Sequence, residues 1–514
     1  MSMSRSRGLI LLSATLVLLA SGLAACGGGG GGGGGSSSSG GGTTSSSTSS
    51  STLASLDDSY QLKIVNASTG QTLTIAGQSQ VAGTAITTAA DDGSTSQRWH
   101  VMPMGSNQYN IENLLTHQVM GIASASTTSG ALAVQWADNG TSDHLWSFYK
   151  LSNGNYVLKN VNSALYLQSD AAGALTQVAR SSESSAQEWT ITVTTTVAYP
   201  MPLTVSGAGT SVHDPNMLQD ASGTFWLYGT HNTLASSTDM VNFTTVAAGD
   251  INPDFSWWAS KNTTGTGGRT DIWAPSVMFA NGKYYQYYSI PIYDTPSNSS
   301  TNSGAEAVIA LATSTSPNGP WTDAGQIIAS CGTTAGCTTT FNAIDPAPYI
   351  DTAGNWWLTF GSWEDGIHVL QLDPSTGLRL SSNSTLYNIA KRSAGEEGPF
   401  IFPYTVNGTH YYYYFAPINP CCSGISSTYR IIVGRSTSPT GPFLDRGGLD
   451  LMDGGGTLLL SSHGAIYGPG GQSVVEVGTQ PVLVYHYYDG NANGAPKLGL
   501  NNLKFDAGGW PYIE

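Results

Sequence analysis

The chain has 514 residues, with 18 Lys and Arg against 33 Asp and Glu, for a net charge of −15. That balance excludes a nucleic-acid partner, which needs cationic side chains to neutralise phosphates. It leaves open a neutral polysaccharide, which is read by stacking and hydrogen bonds, and aromatic residues are as frequent as charged ones, at 10% each.

The abundance of Gly, Tyr, Ser and Thr predicts an all-β protein rich in turns. No long stretch of helical periodicity follows the leader, and the length allows roughly two to four domains. The leader itself occupies residues 1–26: Arg5 and Arg7 form a basic start, and Leu9–Ala20 is an apolar run too short to span a bilayer comfortably. Leu23-Ala24-Ala25-Cys26 resembles a bacterial lipobox, which implies that Cys26 is lipidated and anchors the mature chain. The plainer alternative is an ordinary secretory signal with a chance cysteine. Residues 27–55 are nearly all Gly, Ser and Thr, a linker that cannot bury a core.

Residues 56–196 contain three similar copies, which begin at Tyr60, Tyr109 and Tyr156 and close with Gln97-Arg98-Trp99, His144-Leu145-Trp146 and Gln187-Glu188-Trp189. Units of this length with Gln-x-Trp endings resemble ricin-type β-trefoil lectin modules, which implies that Trp99, Trp146 and Trp189 are packing residues. The aspartate that such modules place early in each repeat is missing, with Thr74, Gly121 and Gln168 at or near its position. Repeat two alone keeps an aromatic platform, Trp136, with Asp138 and Asn139 beside it. That trio is the candidate sugar site; the alternative is a degenerate trefoil serving as a spacer.

Residues 197–514 contain a second, larger repeat. Its proline-centred segments read HDPNML from His213, WAPSVM from Trp273, IDPAPYI from Ile344, EGPFIF from Glu397 and YGPGGQSV from Tyr467. Each is followed by a small turn and a strand rich in aromatic residues. Five β-units in succession predict a five-bladed β-propeller, with equivalent segments around one axis. A residue before proline is pushed toward extended geometry, so Asp214 and Asp345 are expected to open strands. An Asp-Pro pair is often only a turn. A structural turn, however, has no reason to place acids in three units and none in two, so Asp214, Asp345 and Glu397 are the candidate catalytic residues. The tyrosine-rich strands are expected to pack between blades.

Four cysteines remain after Cys26. Cys331 and Cys337 flank a short loop and are expected to pair in an exported protein, whereas the adjacent Cys421 and Cys422 are read either as a vicinal disulfide or as thiols. Neither pair has metal-site spacing.

The segments HDPNMLQDASGTFWLYGT, DIWAPSVMFANGKYYQYYS, NAIDPAPYIDTAGNWWLTFGSWEDGI, EGPFIF and STYRIIVGRSTSPTGPF are similar to the endo-α-1,5-L-arabinanases of glycoside hydrolase family 43. The resemblance implies hydrolysis with inversion, with Asp214 as general base and Glu397 as general acid. Asp345 would then orient the acid and hold its pKa up; Glu396 is the competing register for the acid. Trp273, Ala274, Asn342, Ser362, Trp363 and Thr428 are the implied substrate contacts. Many relatives carry Gly-Pro-Gly-His, whose histidine helps hold an ion, often calcium. Here Gly471 stands in its place, so the resemblance implies no required cofactor and leaves a structural calcium open, with His463 and His486 nearby in sequence. The expected partner is plant cell-wall arabinan or its oligosaccharides, cleaved by a monomer exported as a cell-surface or periplasmic lipoprotein or released extracellularly. Two alternatives stand: an exo-acting α-L-arabinofuranosidase or β-xylosidase of the same family, and a surface protein that only binds glycans.

Overall fold

A computed structural model describes residues 58–247, 272–292, 306–331 and 338–514. Cys26, the linker and Cys337, and with them the expected lipidation and the Cys331–Cys337 pairing, lie outside the described residues.

The first domain is a threefold β-structure running from Tyr60–Asn66 to Trp189–Val197. Its symmetry follows from repeated hydrogen-bonding chemistry as well as from apolar matching. Trp99, Trp146 and Trp189 are fully buried, and their indole N–H groups donate to Leu73 O, Met120 O and Leu167 O at 3.0, 2.8 and 3.3 Å. A buried Trp must satisfy that donor, so one carbonyl per repeat is fixed. Three buried asparagines add a second set of equivalent bonds: Asn66, Asn113 and Asn160 donate to Ala186 O, Ser96 O and Asp143 O. Leu62, Ile64, Ile111, Met120, Leu158 and Leu167 fill the space between.

The second domain has five four-stranded antiparallel sheets, each formed by consecutive strands in chain order. Their first strands are Asn216–Gln219, Trp273–Ala280, Ala347–Ile350, Phe400–Val406 and Ile466–Val477. Polar bonds tie these strands into a closed ring. Asn216 Oδ1 accepts from Val277 N at 2.9 Å, Ser289 Oγ from Asp345 N at 2.9 Å, and Asp345 Oδ2 from Gly398 N at 3.0 Å. Gln472 Nε2 then donates to Gly398 O at 2.9 Å, and Ser473 Oγ to Pro215 O at 2.9 Å. This is the five-bladed propeller predicted from the repeats. Blade five closes onto blade one through an apolar seam in which Val482, Val484, Leu498 and Leu500 pack against Met217, Leu227 and Phe243.

Tyr287, Tyr288, Tyr413, Tyr414 and Tyr485 are fully buried. Their role is packing, and several hydroxyls end on neighbouring polar groups, such as Tyr287 on Gly377 O and Tyr413 on Gly509 O. The trefoil meets the propeller along a small apolar seam of Met102 and Val119 against Ile418, Ile432 and Leu458.

Candidate active site

The residue before each repeated proline adopts left-handed backbone geometry, with φ of 50° at Asp214, 42° at Ala274, 58° at Asp345, 54° at Gly398 and 53° at Gly468. The expected extended geometry is therefore corrected. Proline bars the right-handed helical region to its predecessor, and here the left-handed region is used instead. For Asp214 and Asp345 this costs about 1–2 kcal/mol each, a strain the inter-blade bonds hold in place. The strands themselves begin just after, at Asn216 and Ala347. In blade four the left-handed residue is Gly398, so Glu397 lies one position upstream of the slot that Asp214 and Asp345 share.

Asp214 is held in a dense polar frame. Its Oδ2 accepts from Thr230 Oγ1 at 2.6 Å and meets His213 Nδ1 at 3.0 Å, while its own N–H donates to His486 Nδ1 at 3.1 Å. His213 stacks on His486 with ring centroids 3.7 Å apart, and its Nε2 meets Tyr488 Oη at 2.8 Å. Two stacked imidazoles cannot both hold a charge comfortably. Burial lowers the pKa of His213, but the Asp214 charge outweighs it and the net shift is upward. Burial and repulsion from His213 push His486 well down. His213 is thus the more readily protonated of the two, and His486 is the acceptor of the Asp214 amide. Burial alone would raise the Asp214 pKa, yet His213 and Thr230 hold it far below the usual carboxylate range.

Glu397 and Asp345 have the opposite electrostatics. Glu397 accepts from Ser362 Oγ at 2.8 Å and from the Tyr429 hydroxyl. Burial raises its pKa; the bonds from Tyr429 and Ser362 oppose that shift and the Asp214 charge reinforces it. Asp345 is pushed well above its usual range by burial and by repulsion from Glu397 and Asp214, against one bond from Gly398 N–H. The expectation that Asp345 is what lifts Glu397 is therefore corrected: burial comes first, and the two carboxyls repel each other as a coupled pair. Glu396 is directed elsewhere, its Oε1 accepting from Tyr414 Oη at 2.6 Å.

The remaining candidates divide. Ser362 serves Glu397 directly. Ala274 donates its N–H to Thr230 Oγ1 at 2.9 Å, behind Asp214. Trp363 is 39% exposed and lies against Gly395, where an added Cβ would come within 2.4 Å of the indole. Trp273 is half-buried. Asn342 is buried and its Oδ1 lacks a protein partner. Thr428 is half-buried and donates its N–H to Pro420 O at 3.1 Å. Its neighbour Tyr429, missed in the sequence, is the one that reaches the acid. His213, Thr230 and Tyr488 carry no signal of this role in the sequence beyond the HDP motif, and His486 is signalled there only as a histidine near the metal-ligand position. Cys421 and Cys422 form a vicinal disulfide, and Cys422 N–H donates to Tyr488 Oη at 2.9 Å.

Among the described residues, the donor set does not fit calcium. That ion takes about six to eight oxygen ligands, whereas the cluster here is His213, Asp214 and His486. A Cβ at Gly471 would fall 2.5 Å from Asp214 Oδ1 and 2.7 Å from His486 Nδ1. The His486 ring, from the second strand of blade five, thus occupies the space a side chain at 471 would need. Its Nδ1 accepts from Asp214 N–H, so its proton sits on Nε2 and neither nitrogen is free to bind a cation.

Of the trefoil candidates, the Asp138 carboxylate is engaged within the protein. Asp138 Oδ2 accepts from Arg430 Nη2 at 2.6 Å and Asn110 Nδ2 at 2.7 Å. Asn139 Oδ1 accepts from its own turn, from Thr141 N and Oγ1. Trp136 lies against Gly83. The Asp138 carboxylate is thus shared between Arg430 of the propeller and Asn110 and Gly140 of the trefoil.

One carboxylate held below its usual pKa range and two pushed above theirs, brought together where the propeller blades meet, are an arrangement suited to the acid–base chemistry of a glycoside hydrolase. The sequence profile of Glycosyl hydrolases family 43 matches residues 203–511, and that of the Ricin-type beta-trefoil lectin domain-like family matches residues 52–136. The Extracellular endo-alpha-(1->5)-L-arabinanase 1 of Bacillus subtilis (strain 168) is 38% identical over 324 residues, covering 62% of this chain and 92% of its own. A GH43 endo-arabinanase structure from Bacillus licheniformis superposes with a TM-score of 0.52 at 35% identity, covering 60% of this chain and 99% of that one. An exo-1,5-alpha-L-arabinanase structure from a bovine ruminal metagenomic library gives 0.52 at 31% identity, with 60% and 99% covered. The chain belongs to glycosyl hydrolases family 43.

Proposed function

We propose that the protein is an endo-acting hydrolase of α-1,5-linked L-arabinan that inverts the anomeric configuration. The observation that carries this reading is the opposed electrostatics of the centre: Asp214 is held ionised by His213, and Glu397 is biased toward its protonated form by burial. Asp214 takes a proton from water as that water attacks the anomeric carbon. Glu397 gives its proton to the glycosidic oxygen as the bond to the leaving sugar breaks. Inverting pairs stand about 6.5–9.5 Å apart so that the water fits between them. Asp345 binds the Gly398 amide next to Glu397 and fixes the acid's backbone. Trp273, Trp363, Asn342 and Thr428 are the proposed sugar contacts.

Incubation with linear arabinan, with xylan beside it, tests the reading. Oligosaccharides of mixed length from arabinan are expected. Arabinose alone would favour the exo reading, which the ruminal neighbour keeps in play, and no reducing ends at all would favour glycan capture. The centre should also work without metal: EDTA is expected to leave both turnover and melting temperature unchanged, and a loss of either that calcium restores would refute this.

Export matches a polymer substrate, and the Bacillus subtilis relative is named as extracellular. We further infer a lipid anchor at Cys26. In a bacterial host, Cys26→Ser is expected to move activity from the membrane fraction to the medium or periplasm. An unchanged distribution would leave only a secretory signal.

A further inference from the structure

We propose that the second trefoil repeat is a positioning element of the active site, its Asp138–Gly140 loop bracing the segment 392–397 that carries Glu397. The inference rests on the reading of Glu397 as the acid. Residues 392–399 form no strand, and their one sheet-type contact is a bridge from Glu396 to Ile418. The position of this segment therefore depends on what packs against it.

Two contacts come from the trefoil. Gly140 lies directly on Ala394, so close that an added Cβ would come within 2.2 Å of the Ala394 Cβ. Ser393 Oγ donates to Asn139 O at 3.4 Å, and Asn139 also rests on Gly454. Beside this contact, Asp138 pairs with Arg430, which is only 1% exposed. Arg430 follows Tyr429, the hydroxyl donor to Glu397, and stands opposite Ile418 in the sheet.

The braced segment reaches the chemistry directly. Gly395 is the floor under the Trp363 indole. Trp363 N donates to Glu396 O at 2.8 Å, and Asn419 N to Gly395 O at 3.2 Å. A push on Ala394 therefore moves the exposed tryptophan and the acid together. A buried Arg–Asp pair at a domain junction could be merely structural. The Gly140–Ala394 contact distinguishes the two roles, because it can be altered without touching that pair.

The test uses the full chain. Gly140 has φ +76° and Gly154, elsewhere in the trefoil, has φ +90° with nothing within 4 Å of an added Cβ. Gly140→Ala and Gly154→Ala thus carry similar backbone strain, but only the first presses on Ala394. Two substrates are compared: linear arabinan, and an arabinobioside with a dinitrophenyl leaving group that departs without a proton.

Gly140→Ala is expected to lower kcat on arabinan by about 10-fold or more, since small misplacements of reacting groups cost up to ~100-fold. KM is read separately, because Trp363 shifts with the segment; at saturation, turnover of the activated substrate should stay within about twofold, and adding Ala394→Gly should restore arabinan turnover. Gly154→Ala should match wild type on both substrates. If Gly140→Ala matches Gly154→Ala on arabinan, or loses both substrates equally, the brace is refuted. Should Gly140→Ala not fold, Asp138→Asn is read by the same two-substrate criterion. Glu397→Gln run alongside separates the failures: if it cleaves arabinan normally, the acid assignment falls first.

Discussion

Asp214→Ala is expected to abolish hydrolysis of linear arabinan, with kcat lowered about 10³–10⁴-fold, the upper range for loss of a general base, and KM nearly unchanged. The argument rests on what surrounds the carboxylate. His213 and Thr230 stabilise its charge, and its pKa is held below the usual carboxylate range. Asp345 and Glu397, in contrast, are both shifted upward. Without Asp214, water would lose the carboxylate that is biased toward accepting its proton. Asp214→Asn is the sharper variant, since the amide oxygen can still accept from Thr230 while it cannot serve as a base. A folded Asp214→Asn protein with near wild-type turnover would remove Asp214 from the mechanism. Azide offers a positive control: a small anionic nucleophile needs no base, so it should restore turnover to Asp214→Ala and leave the product azide with inverted configuration.

The five prolines made the blades and three acids legible in the sequence, because an inner strand needs the same start in every blade. What the text could not reveal was the left-handed turn before each proline. Sterics exclude one region and leave two, and the choice between them is made by bonds across blades such as Asp345 N to Ser289 Oγ. The same turn explains why Glu397 is one residue out of the shared slot. Gly398 takes the left-handed position at no steric cost, so the acid is carried by the residue before it. Tyr429 and Tyr488 were hidden among the many tyrosines that do pack between blades, and only the fold separates those that end on Glu397 and His213. His486 was legible as a residue and illegible as a site, since its place depends on the missing side chain at Gly471. Asp138 failed for a related reason: a carboxylate near an aromatic ring in a lectin-like repeat reads as a sugar ligand until Arg430, distant in sequence, is found on it.

Glu397→Gln is expected to lower kcat on arabinan about 10²–10⁴-fold and to flatten the alkaline side of its pH profile. The sign follows from the shifts. Glu397 has a raised pKa, so its proton persists above the usual glutamate range and acid catalysis is lost only as pH rises through that value. Asp214 has a lowered pKa, so the base stays charged as pH falls and does not set a limb in the neutral range. The wild-type alkaline limb therefore belongs to Glu397 and Asp345 titrating as a pair, with apparent values that belong to the couple. Glutamine cannot lose a proton, so the variant's small residual rate should no longer fall with rising pH on that limb. A leaving group that departs without protonation should recover most of the loss, because only the proton donor has been removed and the Asp214 side is intact. An unaltered alkaline limb in Glu397→Gln would move the acid role to Asp345, whose carboxyl is also shifted upward and lies next door.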